Sequence, residues 1–112
     1  MIIARDGVRI VATLTLGTNK PWAIDPAYFT AVRHPLYLTD MAVDPAMQRK
    51  GIGRRLLDEA RAVGRLLRGD ALRLDAFDAD AGAGDFYAKC GFREVGRVIY
   101  RRTRLVYFES LL

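Results

Sequence analysis

The spacing of the apolar residues changes at Gly51 and changes back some twenty residues later. Arg9 to Leu16 alternates and is rich in β-branched residues, and Leu36 to Val43 also has strand character. Leu72 to Phe77 alternates again and predicts a buried strand. The chain is therefore a mixed α/β chain with a βαβ crossover in its middle. Between the strands, apolar residues recur at helical spacing and form one face of a helix: Ile52, Leu56, Leu57, Ala60, Val63 and Leu67.

The remaining segments predict more strands and a second, shorter helix. Asp6-Gly7 is a strong tight-turn signal, so the chain opens in a hairpin. A length of 112 residues fits one domain, and we predict a single domain over residues 1–112. The further predicted elements are a strand from Met1 to Ala4, a helix from Gly82 to Cys90 with Gly91 as its cap, and an antiparallel pair, Phe92 to Val98 and Thr103 to Phe108, with Arg101-Arg102 near the turn.

Composition narrows the setting in which such a chain works. Hydrophobic residues make up 51% of it, which supports a packed core, and no apolar run approaches the roughly 20 residues of a membrane span. Met1 to Ala4 is followed at once by Arg5 and Asp6 without a long apolar region, so we expect no signal peptide. The single cysteine, Cys90, cannot form an internal disulfide. We therefore predict a cytoplasmic protein.

The net charge of +5 is compatible with nucleic acid, an anionic surface or an anionic cofactor as a partner. No aromatic residues interleave the first of two basic groups, as a base-stacking surface requires. Nucleic acid is therefore disfavoured, and a solvated basic face is the simpler interpretation of the second group. The first group is Arg49, Lys50, Arg54 and Arg55, and the second is Arg93, Arg97, Arg101, Arg102 and Arg104.

The segment from Gln48 to Gly53 carries the clearest chemical signal, because it lies between a strand and the start of the amphipathic helix. Glycines there allow close approach of the backbone, the first helical amides have no internal partners, and the helix dipole adds partial positive charge. These features suit a diphosphate, although a tight strand-to-helix turn explains the glycines equally well. A mononucleotide loop is excluded because Ile52 alone separates the glycines, and a dinucleotide fingerprint because Leu56 replaces its third glycine.

Three ordered blocks resemble the GNAT superfamily of N-acetyltransferases. Gln48-x-x-Gly51-x-Gly53 is similar to that family's coenzyme A pyrophosphate signature. Tyr37 to Pro45 looks like its central strand, and Phe86 to Phe92 looks like its Phe-Tyr-x-x-x-Gly-Phe segment. The resemblance covers roughly Arg9 to Phe108. It implies a GNAT-like, mostly antiparallel sheet and acetyl-CoA as the cofactor.

The resemblance also implies roles for particular residues. Tyr87 stands where many family members place the general acid that protonates the departing thiolate, a task that suits a phenol with an ordinary pKa near 10. The alternative is that Tyr87, beside Phe86 on a short helix, is an ordinary core aromatic. The backbone of Met41 and Val43 would bind the pantetheine arm like an added strand. The complete implied cofactor-binding set is Met41, Ala42, Val43, Gln48, Arg49, Lys50, Gly51, Ile52, Gly53, Arg54, Asp80 and Phe86.

Several assignments keep an alternative. Asp40 is the candidate general base, or only a carboxylate at a bulge, and Thr39 is an equally suitable polar neighbour on the substrate side. His34 with Pro35 is more typical of a loop end than of a base. Cys90 is predicted to be a small buried residue. Together His34 and Cys90 give no metal-ligand set, so we predict no metal.

The sequence departs from the family's pattern at two places. Asp80 occupies the position where the family often has an asparagine that helps to hold the cofactor, and a carboxylate is a poorer companion to phosphates. Family domains usually begin with a strand and one or two helices that form a wall of the acceptor site, whereas this sequence opens in the hairpin. Either residues precede it, or the long Gly17 to Pro35 segment replaces that wall with an apolar lid of Trp22, Tyr28 and Phe29.

The predicted function is N-acetylation of a primary amine by direct attack on acetyl-CoA. The acceptor is a small-molecule or peptide amine that the sequence does not identify. A partner copy could cover the exposed acceptor side, so we expect a homodimer. The alternative is a non-catalytic module that binds acetyl-CoA and keeps the fold.

Overall fold

A computed structural model describes residues 1–79 and 83–112 and contains one six-stranded sheet with two helices. The sheet order is β1-β2-β3-β4-β6-β5, and all neighbours are antiparallel except β3 and β4, which α1 joins as a parallel crossover. The predicted mixed α/β fold with a mostly antiparallel sheet is therefore confirmed. The elements are β1 Ile2–Asp6, β2 Arg9–Gly17, β3 Pro35–Val43, α1 Ile52–Leu66, β4 Ala71–Phe77, α2 Gly84–Lys89, β5 Arg93–Tyr100 and β6 Thr103–Leu111.

The predicted order of strands and helices is confirmed, and the ends of the elements differ. β6 continues to Leu111 because it pairs with β4 along the whole length of β4, from Phe77 opposite Leu105 to Ala71 opposite Leu111. The predicted start of the second helix at Gly82 lies outside the described residues. Within the part of the chain that is described, neither helix is long and apolar enough to cross a membrane.

The parallel strands β3 and β4 are hydrogen-bonded to each other at one end only and are separated at the other. Pairing is confined to Pro35–Tyr37 against Ala71–Arg73. Further along β3 the register against β2 shifts, so that Asp40 and Met41 together face Leu14. Asp40 adopts a left-handed conformation at this bulge, with φ +54°. A bulge bends its strand, and β3 consequently diverges from β4 beyond Tyr37 and leaves a gap in the sheet.

One face of the sheet is covered by the two helices. Leu57 and Ala60 of α1 are completely buried against this face. The prediction that Leu67 continues the apolar face is wrong, because α1 ends at Leu66 and Leu67 is 60% exposed. The chain reverses there through Arg68, whose φ is +59°, and the N–H of Gly69 donates to the carbonyl of Gly64 at 2.9 Å. Gly64 occupies the buried position instead.

The other face of the sheet is covered by the long segment between β2 and β3. Ile24 and Phe29 of this segment pack on Tyr37 and Tyr107 in a second core cluster. The buried Glu109 carboxylate accepts from the Thr30 hydroxyl at 2.6 Å and from its N–H at 3.1 Å. Arg93 donates to the same carboxylate at 2.6 Å. Burial raises the pKa of Glu109, but the hydrogen bonds from Thr30 and Arg93 outweigh burial and hold it below its ordinary value.

Candidate functional site

The start of α1 and the end of β3 enclose a cavity of about 480 Å³, which we call the α1 cleft. Most of the residues predicted to bind a cofactor line it together: Met41, Val43, Gln48, Arg49, Gly51, Ile52, Gly53, Arg54 and Phe86. Two others lie beside it. Ala42 is exposed on β3 opposite Thr13, and the ammonium group of the exposed Lys50 lies 4.0 Å from the Met47 sulfur. Asp80 lies outside the described residues.

Local structure explains the shape of this cleft. After β3, Asp44 caps a single 3-10 turn by accepting from the N–H of Ala46 at 2.9 Å. The chain then turns sharply through Arg49 at φ +63° and Gly51 at φ +78°, and α1 begins at Ile52. No side chain among residues 1–79 and 83–112 caps this helix start. Its first amides therefore face the cleft without a side-chain partner, beside the charges of Arg49 and Arg54.

Gly53 accommodates a close approach between the two helices. A Cβ atom at this position would lie 2.9 Å from Cζ of Phe86 and 3.4 Å from Cε of Met41. The glycine therefore lets the Phe86 ring of α2 pack over the first turn of α1. This contact closes one side of the α1 cleft.

The edge of β3 contributes backbone donors and acceptors to the cleft. The N–H of Asp44 donates to the carbonyl of Val11 in β2 at 2.7 Å. Successive residues of an extended strand direct their backbone groups to opposite sides, so the amides of Val43 and Met41 point away from β2 and toward the gap. β4 has already diverged at this point. The Gln48 side-chain amide donates to the carbonyl of Val43 at 3.4 Å, so the amides of Val43 and Met41 are the groups that can pair with an extended ligand.

The gap between β3 and β4 forms a second cavity of about 780 Å³, which we call the sheet cleft. Its walls are largely apolar, but Thr39, Asp40, Asp75 and Arg101 bring polar groups into it. Met41, Ala83 and Tyr87 line both clefts. The two cavities therefore meet at these residues, and the phenol of Tyr87 stands at the meeting point.

Tyr87 is 8% exposed, and aromatic rings surround it. The rings of Phe86, Phe92 and Phe108 have centroids within 5.4–5.8 Å of its own. Its hydroxyl lies 3.8 Å from the Met41 sulfur. Burial, with a smaller contribution from the charges of Asp75 and Cys90, raises the pKa of this phenol above its ordinary value. Tyr87 therefore remains protonated at neutral pH and can act as a proton donor.

The sequence reasoning missed Asp75. It lies on β4, lines the sheet cleft and is half-buried. Burial raises the pKa of its carboxyl group, and a hydrogen bond from its own backbone opposes the rise. A carboxylate with a raised pKa is a better proton acceptor than an ordinary one. The available signal was a charged residue in a strand whose neighbours Leu72 and Leu74 predict burial.

The aromatic residues of the long loop are not where the lid hypothesis put them. Phe29 is buried in the second core cluster, with its ring centroid 5.2 Å from that of Tyr107. Tyr28 also packs edge-on against Tyr107, at 5.5 Å, while Trp22 is 89% exposed. Phe29 is therefore buried on the far face of the sheet and Tyr28, which is 46% exposed, packs beside it, so neither side chain lines the sheet cleft. The loop contributes Ala23 to the sheet cleft instead.

The structure also places Asp40, His34 and Cys90. Asp40 is exposed and lines the sheet cleft from the bulge, so it is a carboxylate at a bulge, as the alternative interpretation predicted. His34 lies before β3, where its backbone N–H donates to the Asp70 carboxylate at 2.8 Å, away from both clefts. Cys90 is buried, as predicted.

Comparison with known proteins assigns the fold to a family. Residues 1–94 match the acetyltransferase (GNAT) domain family. The chain therefore belongs to the GNAT acetyltransferase family. No protein with a curated description matches it significantly.

Solved structures of GNAT proteins share the fold at low sequence identity. A protein assigned as a GNAT acetyltransferase from Desulfovibrio desulfuricans superposes with a TM-score of 0.80 and 21% identity, over 97% of this chain and 65% of that one. A protein assigned as a streptothricin acetyltransferase from Bacillus anthracis, in complex with acetyl coenzyme A, gives 0.77 and 22%, over 98% and 60%. Ribosomal-protein-alanine N-acetyltransferase from Brucella melitensis gives 0.76 and 22%, over 98% and 67%. The chain thus spans less than two thirds of the first two proteins.

Proposed function

We propose that this protein transfers an acetyl group from acetyl-CoA to a primary amine. The α1 cleft would hold the cofactor, and the sheet cleft would hold the acceptor. The observation that carries the proposal is the junction of these clefts at Met41, Ala83 and Tyr87. A thioester that reaches this junction from one side can meet an amine that enters from the other.

The α1 cleft has the chemistry that coenzyme A requires. Its diphosphate is an anion, and the uncapped amides at the start of α1, together with Arg49 and Arg54, form an anion site. The pantetheine arm is extended and carries amides, which suits the backbone amides of Met41 and Val43 at the edge of β3. Acetyl coenzyme A is bound in the similar Bacillus anthracis structure, which supports the same ligand here.

The residues at the junction account for acetyl transfer. When bound, acetyl-CoA supplies a thioester whose carbonyl a neutral amine can attack, so that a C–N bond forms as the C–S bond breaks. Tyr87 would donate its phenolic proton to the departing sulfur. A general acid must be protonated at the working pH, and the raised pKa of Tyr87 meets this condition.

A carboxylate in the sheet cleft would take the proton that the amine loses. Asp40 and Asp75 both line this cleft. The half-buried Asp75 is the stronger proton acceptor, because burial raises its pKa, whereas Asp40 is exposed at the bulge. We therefore assign Asp75 as the base and Asp40 as a second carboxylate that attracts the ammonium form of the substrate.

Two measurements on the folded protein test this function. Calorimetry with acetyl-CoA should detect binding at one site per chain, and thiol release with a panel of primary amines should be amine-dependent. Binding without amine-dependent thiol release would favour the alternative, a non-catalytic acetyl-CoA-binding module. An absence of binding would refute the cofactor assignment and the transferase with it.

A further inference from the structure

Arg101 gives the mouth of the sheet cleft a positive charge. It lies in the two-residue turn between β5 and β6 and lines the cleft, with its guanidinium 5.3 Å from the ring centroid of Tyr100. No carboxylate among residues 1–79 and 83–112 forms an ion pair with it. On the same hairpin, Arg97 pairs with both Asp78 and Glu94. Arg101 is therefore available to bind an anion from outside the chain.

The backbone conformation of this turn does not favour arginine at position 101. Arg101 has a φ of +49° and Arg102 a φ of +68°. Two-residue hairpin turns with positive φ at both positions strongly prefer Asn-Gly or Asp-Gly, because larger side chains are strained there. Residues held in strained conformations are concentrated at binding sites. Arg101 is such a residue, and its side chain lies at the cleft.

Of the two carboxylates that line the cleft, Asp40 is exposed and Asp75 is half-buried. Asp75 faces Tyr107 across β4 and β6, and Thr103, which closes the turn of Arg101, also lines the cleft. From Tyr107 to Thr103 is four residues, or about 13 Å of extended strand. Asp75 is also close enough to Tyr87 to raise the pKa of its phenol. The Asp75 carboxylate and the Arg101 guanidinium thus line the same cleft from points about 13 Å apart along β6.

We infer that the acceptor is an amine that also carries a carboxylate. Its ammonium group would lie at Asp75 and its carboxylate at Arg101. This inference rests on the proposed function and narrows the acceptor to ω-amino acids or short peptides whose charges are several bonds apart. Arginine suits this role because its planar fork binds a carboxylate through two parallel hydrogen bonds.

A series of straight-chain acceptors tests the inference without any substitution. Thiol release is measured with ω-amino carboxylates of increasing length and with alkylamines and diamines of matched length. The expected result is an optimum length at which the amino carboxylate exceeds the alkylamine in kcat/KM by about tenfold, since a charge-assisted pair is gained. Equal kcat/KM values for the matched acceptors would overturn the inference and leave the proposed function intact.

Two neighbouring variants then locate the effect. Arg101→Gln and Arg102→Gln remove the same charge from the same turn, but only Arg101 lines the sheet cleft. Arg101→Gln should abolish the preference for the carboxylate, and Arg102→Gln should keep it. An equal loss in both variants would show that only the general charge of the hairpin matters and would refute the assignment. If acetyl-CoA binds and no amine releases thiol, the proposed function itself fails.

Discussion

The two clefts that meet at Tyr87 are built in different ways. The α1 cleft takes most of its lining from one stretch, Met41 to Arg54, and offers backbone amides, glycines and nearby charges. The sheet cleft takes its lining from β3, β4, the β5–β6 turn and Ala23, which only the tertiary fold brings together. The construction of the α1 cleft suits a ligand that is always the same molecule. The sheet cleft can change through any one of its segments, so under the proposed function the specificity for the acceptor would vary more easily than that for the cofactor.

Substitution of Tyr87 by Phe separates the two clefts most strongly. The loss of the phenolic proton should lower kcat by about a hundredfold or more, because a general acid contributes on that scale. Acetyl-CoA affinity should be unchanged, since the ring still packs against Phe86, Phe92 and Phe108. Single-turnover thiol release and calorimetry measure the two quantities. Parallel losses in both would instead give Tyr87 a packing role and would break the division between the clefts.

Glu109 tests how far the sheet face opposite the helices depends on buried polar contacts. Glu109→Gln removes a buried charge that Thr30 and Arg93 bind, and should lower the free energy of unfolding by about 2 kcal/mol at pH 7. The pKa of Glu109 is lowered in the folded state, so this contribution is present above the unfolded pKa of about 4.3 and is lost as the pH falls through the folded value.

Chemical denaturation at neutral and acidic pH measures the difference between the two proteins. It should shrink as the pH falls below the ordinary glutamate pKa of about 4.3 and through the lowered pKa of the folded Glu109 carboxyl group. Thr30→Val provides a milder comparison, with an expected loss of about 1 kcal/mol for one hydrogen-bond donor. Acetyl-CoA affinity should stay the same in both variants, because this network lies on the face opposite the helices. A pH-independent difference would refute the charged role of Glu109.

Charge at the α1 cleft is tested by reversing Arg49 and Lys50 together. Arg49→Glu with Lys50→Glu should weaken acetyl-CoA binding by about tenfold at low salt, and the difference should narrow as salt screens the charges. The matched control reverses Arg65 and Arg68 at the other end of α1, where the same change in net charge lies far from the cleft. Equal losses in the two double variants would show that overall charge, and not the placement of charge at the helix start, attracts the cofactor.

The contrast between the clefts also decides what the sequence could predict. Gly51, Gly53 and the uncapped start of α1 act through local backbone geometry, which a short stretch of sequence encodes. The fold followed from the periodicity and from the resemblance to the family. Asp75 and Arg101 were not predicted to line one cleft, because their place in it depends on β4 pairing with β6 rather than with β5.

The long loop between β2 and β3 is a second case in which the sequence pattern did not determine where side chains lie. Trp22, Tyr28 and Phe29 have the composition of a lid, but a pattern of aromatic residues does not say which face of a sheet they will cover. Buried partners such as Tyr107 and the polar contacts of Thr30 decide that question. Leu67 fits helical spacing equally well and is exposed only because Arg68 and Gly69 end the helix first.

The smallest expected effect concerns Gly51 and tests whether the α1 cleft depends on backbone conformation alone. A Cβ at Gly51 would meet no atom within 4 Å, so Gly51→Ala acts only through its φ of +78°. We expect the free energy of unfolding to fall by about 1 kcal/mol and acetyl-CoA affinity to fall by less than about fivefold, as the strained turn relaxes. Gly17→Ala is the matched control, because its Cβ also meets open space but its φ is not positive. That variant should be as stable as the wild type or slightly more stable. If both variants behaved alike, the backbone conformation at Gly51 would not shape the α1 cleft. The side-chain charges of the cleft would then remain as the determinant of acetyl-CoA affinity.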